Sequence, residues 1–168
     1  MSQPPLSQLA YVGLGSNLED PVRQVQRGFE ELARLPATRL LKHSSFYRTA
    51  PVGKADQPDF VNAVAILETT LAPGDLLAHL LAIEARHGRV RAERNGPRTL
   101  DLDLLLFGEQ IVRSIGLEVP HPRMHERAFV LLPLAEISPQ AVIPGRGRVA
   151  DLVASVADQH VTRIDGQA

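Results

Sequence analysis

The chain has no cysteine and no tryptophan, only seven aromatic residues (five Phe, two Tyr), and no long apolar run. Without cysteine, disulfides, thiolate nucleophiles and zinc–thiolate centres are excluded. No apolar stretch approaches the ~20 residues that a membrane-crossing helix needs. The start, Met1-Ser-Gln-Pro-Pro-Leu-Ser7, lacks the charged lead and apolar core of a signal peptide, so a cytoplasmic protein is expected. Neither sign of charge predominates, with 18 Lys and Arg against 19 Asp and Glu. A net charge of −1 argues against a general nucleic-acid or membrane-surface binder. Internal repeats and low-complexity segments are also absent. What remains is 168 residues, 44% apolar and 22% charged, the profile of one ordinary globular domain. A chain of that length buries roughly 68–70% of its unfolded surface.

The most informative stretch is Arg94-Asn-Gly-Pro-Arg-Thr-Leu-Asp-Leu-Asp103, followed by Leu104-Leu-Leu-Phe107. A Gly96-Pro97 turn signal leads straight into an apolar segment of strand length. Asp101 and Asp103 stand two apart, so in a strand they share one face, roughly 6.6–7 Å apart. Leu100, Leu102, Leu104 and Leu106 are then expected on the opposite, core-facing side. Aspartate is disfavoured in strands, and two carboxylates side by side repel unless a cation lies between them. Mg²⁺ takes oxygen ligands of this kind, one or two carboxylates plus substrate phosphates. The alternative is a solvated strand face with two surface aspartates.

Around this strand the chain reads as follows. Leu9–Leu14 is a strand ending at Gly15-Ser16-Asn17. Gly13 and Gly15 begin a dinucleotide-binding fingerprint that fails at Leu18, so a tight turn into a capped helix is preferred. Asp20 is the expected N-cap and Pro21 the first residue of a helix over about 21–35, with Val22, Val25, Phe29 and Leu32 inward. Thr38–Thr49 is a second strand, and residues 50–58 form a breaker-rich loop of a length often tied to function. Phe60–Leu67 is a third strand, on which Phe60, Asn62, Val64 and Ile66 share a face. An aromatic next to an amide suits a flat heterocycle that is stacked on its face and hydrogen-bonded at its edge, and equally a core Phe beside an edge Asn. Pro73 starts a second helix, with Leu76, Leu77, Leu80, Leu81 and Ile83 as its apolar stripe and Glu84 at the margin. Gly88 is read as its terminator. Then come Arg89, Arg91, Arg94 and Arg98, either a solvated basic loop or a bidentate phosphate clamp.

Past the aspartate strand, residues 111–119 are irregular with a possible short strand. His121 and His125 have the spacing of two ligands on one helix, but Pro122 places His121 before the helix and Phe129 stands where a zinc-protease motif needs histidine. Phe129–Ile137 reads as a helix, Ala150–Ala157 as a short one, and His160–Ile164 as a late strand. The order strand, helix, strand, strand, helix, strand is the split βαβ pattern: an α+β, ferredoxin-like antiparallel sheet with two helices on one face. A C-terminal helical extension follows. One domain is expected over residues 1–168, with a core at about 9–143 and the extension at 144–168. The second sheet face is expected to stay partly open, with the Asp pair and the Phe60–Asn62 pair on it and the arginines at its rim. Those parts suit metal-assisted phosphoryl transfer.

These residues carry a family resemblance. Gly15-Ser-Asn17, Ser45-Phe-Tyr-Arg-Thr49, Gln57-Pro-Asp-Phe-Val-Asn62, Gly88-Arg-Val-Arg91, Gly96–Asp103 and Val119-Pro-His121 resemble the 6-hydroxymethyl-7,8-dihydropterin pyrophosphokinases of folate biosynthesis. The likeness runs from Tyr11 to about Ile143, and Gly96–Asp103 is its most specific part. It implies a ferredoxin-like enzyme that moves the β,γ-pyrophosphoryl group of ATP to the pterin's hydroxymethyl oxygen, releasing AMP. The family uses two Mg²⁺ and no Walker-type loop.

By that resemblance Asp101 and Asp103 are catalytic metal ligands. Arg89 and Arg98 are catalytic groups that meet the transferring phosphates, with Arg91 nearby. Glu84, His121 and Arg127 match nucleotide contacts. Phe60 and Phe129 would sandwich the pterin, Asn62 would read its edge, and Thr49, Ala50 and Val52 would supply backbone contacts. The partners implied are ATP and a reduced pterin, with no nucleic acid and no membrane, acting on a monomer. Asn95 stands where some members have a tryptophan, in a loop that looks one residue shorter. Leu81 replaces a glutamine of some members and Pro122 a tyrosine. Two rivals remain: a ferredoxin-like module that senses a nucleotide or RNA, which usually exposes several sheet aromatics, and a Mg²⁺-dependent phosphohydrolase.

Overall fold

The computed structural model describes residues 6–18, 20–50, 58–87 and 99–164. In chain order it runs β1 (Gln8–Ser16), α1 (Pro21–Ala33), β2 (Thr38–His43), β3 (Phe46–Thr49), β4 (Phe60–Thr69), α2 (Pro73–Arg86) and β5 (Asp101–Phe107). A hairpin of β6 (Val112–Ser114) and β7 (Leu117–Val119) follows, where an irregular segment with one possible short strand was expected. Then come α3 (Ala128–Ile137), the small pair β8 (Val142–Ile143) and β9 (Gly147–Arg148), α4 (Val149–Leu152) with a 3-10 turn at Val153–Val156, and β10 (Val161–Ile164). The central sheet has the order β10-β3-β4-β1-β5, with β2 also on β4, and all its pairings are antiparallel. This is the expected α+β, ferredoxin-like arrangement. No helix among the described residues is long and apolar enough to cross a membrane.

Period-two alternation sorts the strands' side chains to two faces. Ala10, Val12 and Leu14 of β1, Val61, Ala63, Ala65 and Leu67 of β4, and Leu102 and Leu104 of β5 pack under α1 and α2. From the helices they receive Val25, Phe29 and Leu32, and Leu76, Leu80 and Ile83. Each fully buried Leu or Ile contributes about 1.5–3 kcal/mol of transfer free energy. Leu81 does not belong to this stripe. It is 48% exposed, because it falls on the outer side of α2 one residue past Leu80. Glu84 takes a stripe position instead, four residues on from Leu80, and is only 4% exposed.

Three local expectations are corrected, two by strand pairing and one at a helix start. The strand expected over Thr38–Thr49 is broken at Ser44-Ser45. From His43↔Ala65 to Tyr47↔Asn62 one strand advances four residues while β4 advances three, which leaves one residue extra. Buried Ser44 fills the break: its N–H donates to Val64 O at 2.8 Å and its Oγ accepts the Val64 N–H at 3.0 Å. A second bulge lies in β5, where Tyr11↔Leu106 is followed by Val12↔Leu104. Leu105 is the extra residue, so Leu106 turns to the second face instead of the core expected for it. Asp20 does stand before α1, but with a left-handed backbone (φ 62°, ψ 72°) and no side-chain cap bond, in place of the extended conformation that capping uses.

The second face is half closed. Tyr11, Val64, Ile66, Leu105 and Leu106 are covered by Met124, Val130, Leu131 and Leu134, and by Val149 and Val156 from the C-terminal extension. Glu136 on α3 pins this cover to the sheet. Its carboxylate accepts the Ser45 N–H at 3.0 Å, Ser45 Oγ–H at 3.0 Å and Tyr47 Oη–H at 2.7 Å, with Arg163 of β10 at 3.6 Å. Burial alone would raise its carboxyl, but the Ser45, Tyr47 and Arg163 contacts outweigh that and hold it below the usual range. Burial and then Glu136 push the Tyr47 phenol up, so it stays protonated.

A stability prediction follows from this anchor. A depressed carboxyl stabilises the fold above its unfolded value, near 4.3, and that contribution is lost as pH falls through the folded value. Glu136→Gln should cost about 1–3 kcal/mol at pH 7, the range for hydrogen bonds to a charged group. Urea unfolding should show the gap to the parent closing below about pH 4. A gap that stays constant with pH would mean that the carboxylate's charge contributes nothing.

Candidate active site

At the end of the second face next to the start of α3, β1 presents only glycines. Gly13 and Gly15 stand there, and Gly15 lies inside the strand and not in the turn expected to follow Leu14. Gly15 lies between Asn62 of β4 and Asp101 of β5, and Gly13 between Val64 and Asp103. At about 4.8 Å per strand, the backbones of Asn62 and Asp101 are roughly 10 Å apart across a floor formed by Gly15, which is itself buried. A Cβ at Gly15 would stand 2.9 Å from Asn62 Nδ2, and one at Gly13 would stand 3.4 Å from the Leu105 side chain. Sequence reasoning had Gly13 within the strand and Gly15 in the turn after it, and missed their shared role. The usable signal was their spacing of two within an apolar run, since glycine in a strand often marks close approach of another group.

On one side of the floor stand the carboxylates. Asp101 is half-buried and Asp103 exposed, while Leu102 between them is buried in the core. β5 is the sheet's edge strand, so its outer backbone groups need other partners. The Glu84 carboxylate accepts the Leu102 N–H at 2.7 Å, and the His121 N–H donates to Leu105 O at 2.9 Å. Glu84 therefore braces from α2 the strand on which both aspartates ride. Among the described residues no group of three or more His, Asp or Glu forms a metal cage. A pair of carboxylates on an open face fits a cation that takes its remaining oxygens from a phosphate substrate and water.

The segment from His121 to Phe129 closes this side. His121 Nδ1 accepts the Arg123 N–H at 3.2 Å, which leaves the ring proton of the neutral form on Nε2. Burial, then the charge of Arg127, pulls its pKa down, so it acts at neutral pH as an uncharged Nε2–H donor. Burial also lowers Arg127, against the opposing pull of Asp103, which places that guanidinium in the aspartate's field. Its Cζ lies 5.5 Å from the centroid of the Phe129 ring. His125 sits on a separate 3-10 turn, Met124–Glu126, so the two histidines do not share a helix face.

On the other side of the floor, Phe60 and Asn62 share their face with Thr49, opposite Phe60 on β3. Thr49 Oγ–H donates to Asn62 Oδ1 at 3.0 Å. With its oxygen engaged on the β3 side, the amide extends its Nδ2–H donors over Gly15. Ala50 follows Thr49 and is exposed. The structure thus brings together Thr49, Asn62, Phe60, Asp101 and Asp103 on one face, and Asp103, Arg127 and Phe129 at one corner. Val52, Arg89, Arg91 and Arg98 lie outside the described residues. A hollow of about 600 Å³ lined by Gln8, Tyr11, Glu109, Ser138 and Gln140 is at the opposite end of the sheet, holds none of these groups and is no part of this site.

Residues 11–139 match the family described as 7,8-dihydro-6-hydroxymethylpterin-pyrophosphokinase. Among individual proteins, the chain is 50% identical over 159 residues to the 2-amino-4-hydroxy-6-hydroxymethyldihydropteridine pyrophosphokinase of Pseudomonas aeruginosa, covering 95% of this chain and 98% of that one. The protein of the same name from Haemophilus influenzae is 46% identical over 156 residues, covering 93% and 98%. In three dimensions the chain resembles the crystal structure of Plasmodium falciparum HPPK-DHPS wild type with pteroate, at a TM-score of 0.71 and 13% identity. That likeness covers 92% of this chain but only 43% of the other, and it shows the fold alone.

Proposed function

Because the chain belongs to the 7,8-dihydro-6-hydroxymethylpterin-pyrophosphokinase family, we propose that it works at the glycine-floored end of its sheet, as a single domain of residues 1–168. The reaction is transfer of the pyrophosphoryl group of ATP to the hydroxymethyl group of 6-hydroxymethyl-7,8-dihydropterin, in folate biosynthesis. The oxygen of the hydroxymethyl group forms a bond to the β-phosphorus. The bond from that phosphorus to the α–β bridging oxygen breaks, and AMP leaves.

One observation carries the assignment of residues: Asn62 and the pair Asp101–Asp103 flank Gly15 and Gly13 on the same face of the sheet. Heterocycle and phosphates then lie side by side on the floor. Asn62, its oxygen held by Thr49, presents donors to the pterin edge. Phe60 and Phe129 are its stacking partners, and the backbone from Thr49 to Val52 completes the pocket. Asp101 and Asp103 are the residues that would hold Mg²⁺, two ions in this reading. Bound there, the metal supplies neutralisation of phosphate charge and alignment of the in-line displacement. His121, through Nε2–H, and Arg127 donate to the nucleotide's phosphates, and Glu84 keeps the aspartate strand in register. Arg89, Arg91 and Arg98 are read as the clamp on the transferring group. We take the enzyme to act as a monomer, and its use of ATP as donor supports a cytoplasmic location.

Incubation with ATP, Mg²⁺ and the reduced pterin tests the reading directly. Pterin-dependent AMP is expected. ADP and phosphate formed without pterin would make the protein a phosphohydrolase, and no turnover at all would make it a sensor.

A further inference from the structure

We propose that Gln159, in the C-terminal segment beyond the matched residues 11–139, is a positioning residue for Arg127 and, through it, for the nucleotide side of the site. The inference rests on the functional reading above. Gln159 Oε1 accepts the Ala128 N–H at 2.9 Å, and Gln159 Nε2 donates to Glu126 O at 2.8 Å. The two peptide groups it grips are those on either side of Arg127. Arg127 has an extended backbone (φ −118°, ψ 112°) between the 3-10 turn at Met124–Glu126 and the first residue of α3. At this junction each helical segment holds one edge of the two peptides, the Arg127 N–H donating to Met124 O at 3.3 Å, and a two-handed amide holds the opposite edge.

The grip is anchored from behind. The Gln159 N–H donates to Val156 O at 3.0 Å, and Val156 is buried in the core that α3 covers. On its other side, the Arg127 carbonyl accepts the N–H groups of Val130 and Leu131, both at 3.0 Å, which ties it to the first turn of α3. Turning either gripped peptide would swing the guanidinium away from Asp103 and off the Phe129 ring. The Ala128 N–H is also one of the four first-turn donors that a helix leaves without internal partners. Gln159 therefore caps α3 and aims Arg127 with the same side chain.

A purely structural cap and a positioning residue differ in what their loss does. Gln159→Leu removes both hydrogen bonds at similar size. It should raise the KM for ATP roughly threefold to tenfold, the range for one or two net hydrogen bonds, with a smaller change in kcat. In an Arg127→Ala background the same substitution should leave the KM for ATP unchanged, since nothing remains to aim. Gln159→Glu keeps the acceptor for Ala128, and so the cap and the fold, but loses the donor to Glu126 O. Its second carboxylate oxygen faces Glu126 O without a proton, so it should show a KM rise like that of Gln159→Leu with a smaller loss of Tm, since the bond to Ala128 is kept. A lowered Tm with parental KM, or an equal KM rise with and without Arg127, would sink the inference while leaving the functional reading intact. A parent enzyme that forms no pterin-dependent AMP would sink both.

Discussion

Asp103→Ala is expected to fold, to keep its affinity for the pterin, and to lose about a thousandfold or more in turnover. Metal-assisted charge neutralisation is worth several kcal/mol at the transition state, and each 1.36 kcal/mol is a factor of ten. Asp103 is exposed and Leu102, not the aspartate, fills the core beneath it, so alanine opens no cavity. Two effects on stability oppose each other. Removing one of two like charges on the same strand face relieves repulsion, while Arg127 loses the attraction of Asp103. The net change should be within about 0.5 kcal/mol, as for surface positions in general. Asp101→Ala should be as damaging to turnover. A readout that does not depend on turnover is Mn²⁺ binding in the presence of a non-hydrolysable ATP analogue, followed by electron paramagnetic resonance. Parental Mn²⁺ affinity and parental activity in Asp103→Ala would remove these carboxylates from the metal site.

Arg98→Ala should lower kcat by ~10³–10⁵, the range for a guanidinium that stabilises charge on a transferring phosphoryl group. Arg98 lies outside the described residues, and this expectation rests on its place in the Gly96–Asp103 motif, three residues before Asp101. The binding constant for ATP should change far less than kcat, because only an interaction that strengthens in the transition state accelerates the step. Arg98→Lys keeps the charge without the planar fork and should recover only part of the loss. Single-turnover measurement of AMP formation separates the two effects. An unchanged kcat with weakened ATP binding would assign Arg98 to ground-state binding alone.

How much of this was legible in the chain depends on the range of the forces involved. The alternation Leu100, Asp101, Leu102, Asp103, Leu104 puts both carboxylates on one face by local geometry alone, and the structure has them there. Val25, Phe29 and Leu32, or Leu76, Leu80 and Ile83, mark helix faces for the same reason, and the element order was enough for the ferredoxin-like arrangement. Phe60 and Asn62 were legible as face-mates, but not what lay across from them.

That was decided by tertiary pairing. Whether Gly13 and Gly15 make a turn or a floor depends on β4 and β5, which lie far along the chain and pair across β1. The break at Ser44 and the extra Leu105, which turns Leu106 to the other face, arise because a partner strand runs one residue short. Periodicity within a single strand carries no record of its neighbour's count. Leu81 and Glu84 traded expectations because a stripe shows which residues can face inward, and only the packed sheet shows where the inward side ends. The tail's short helix and late strand were legible, but its reach to the site was not, for the same reason. A glutamine's worth lies in the peptide groups it reaches, and those of Glu126 and Ala128 come within range of Gln159 only when α3 closes over the sheet.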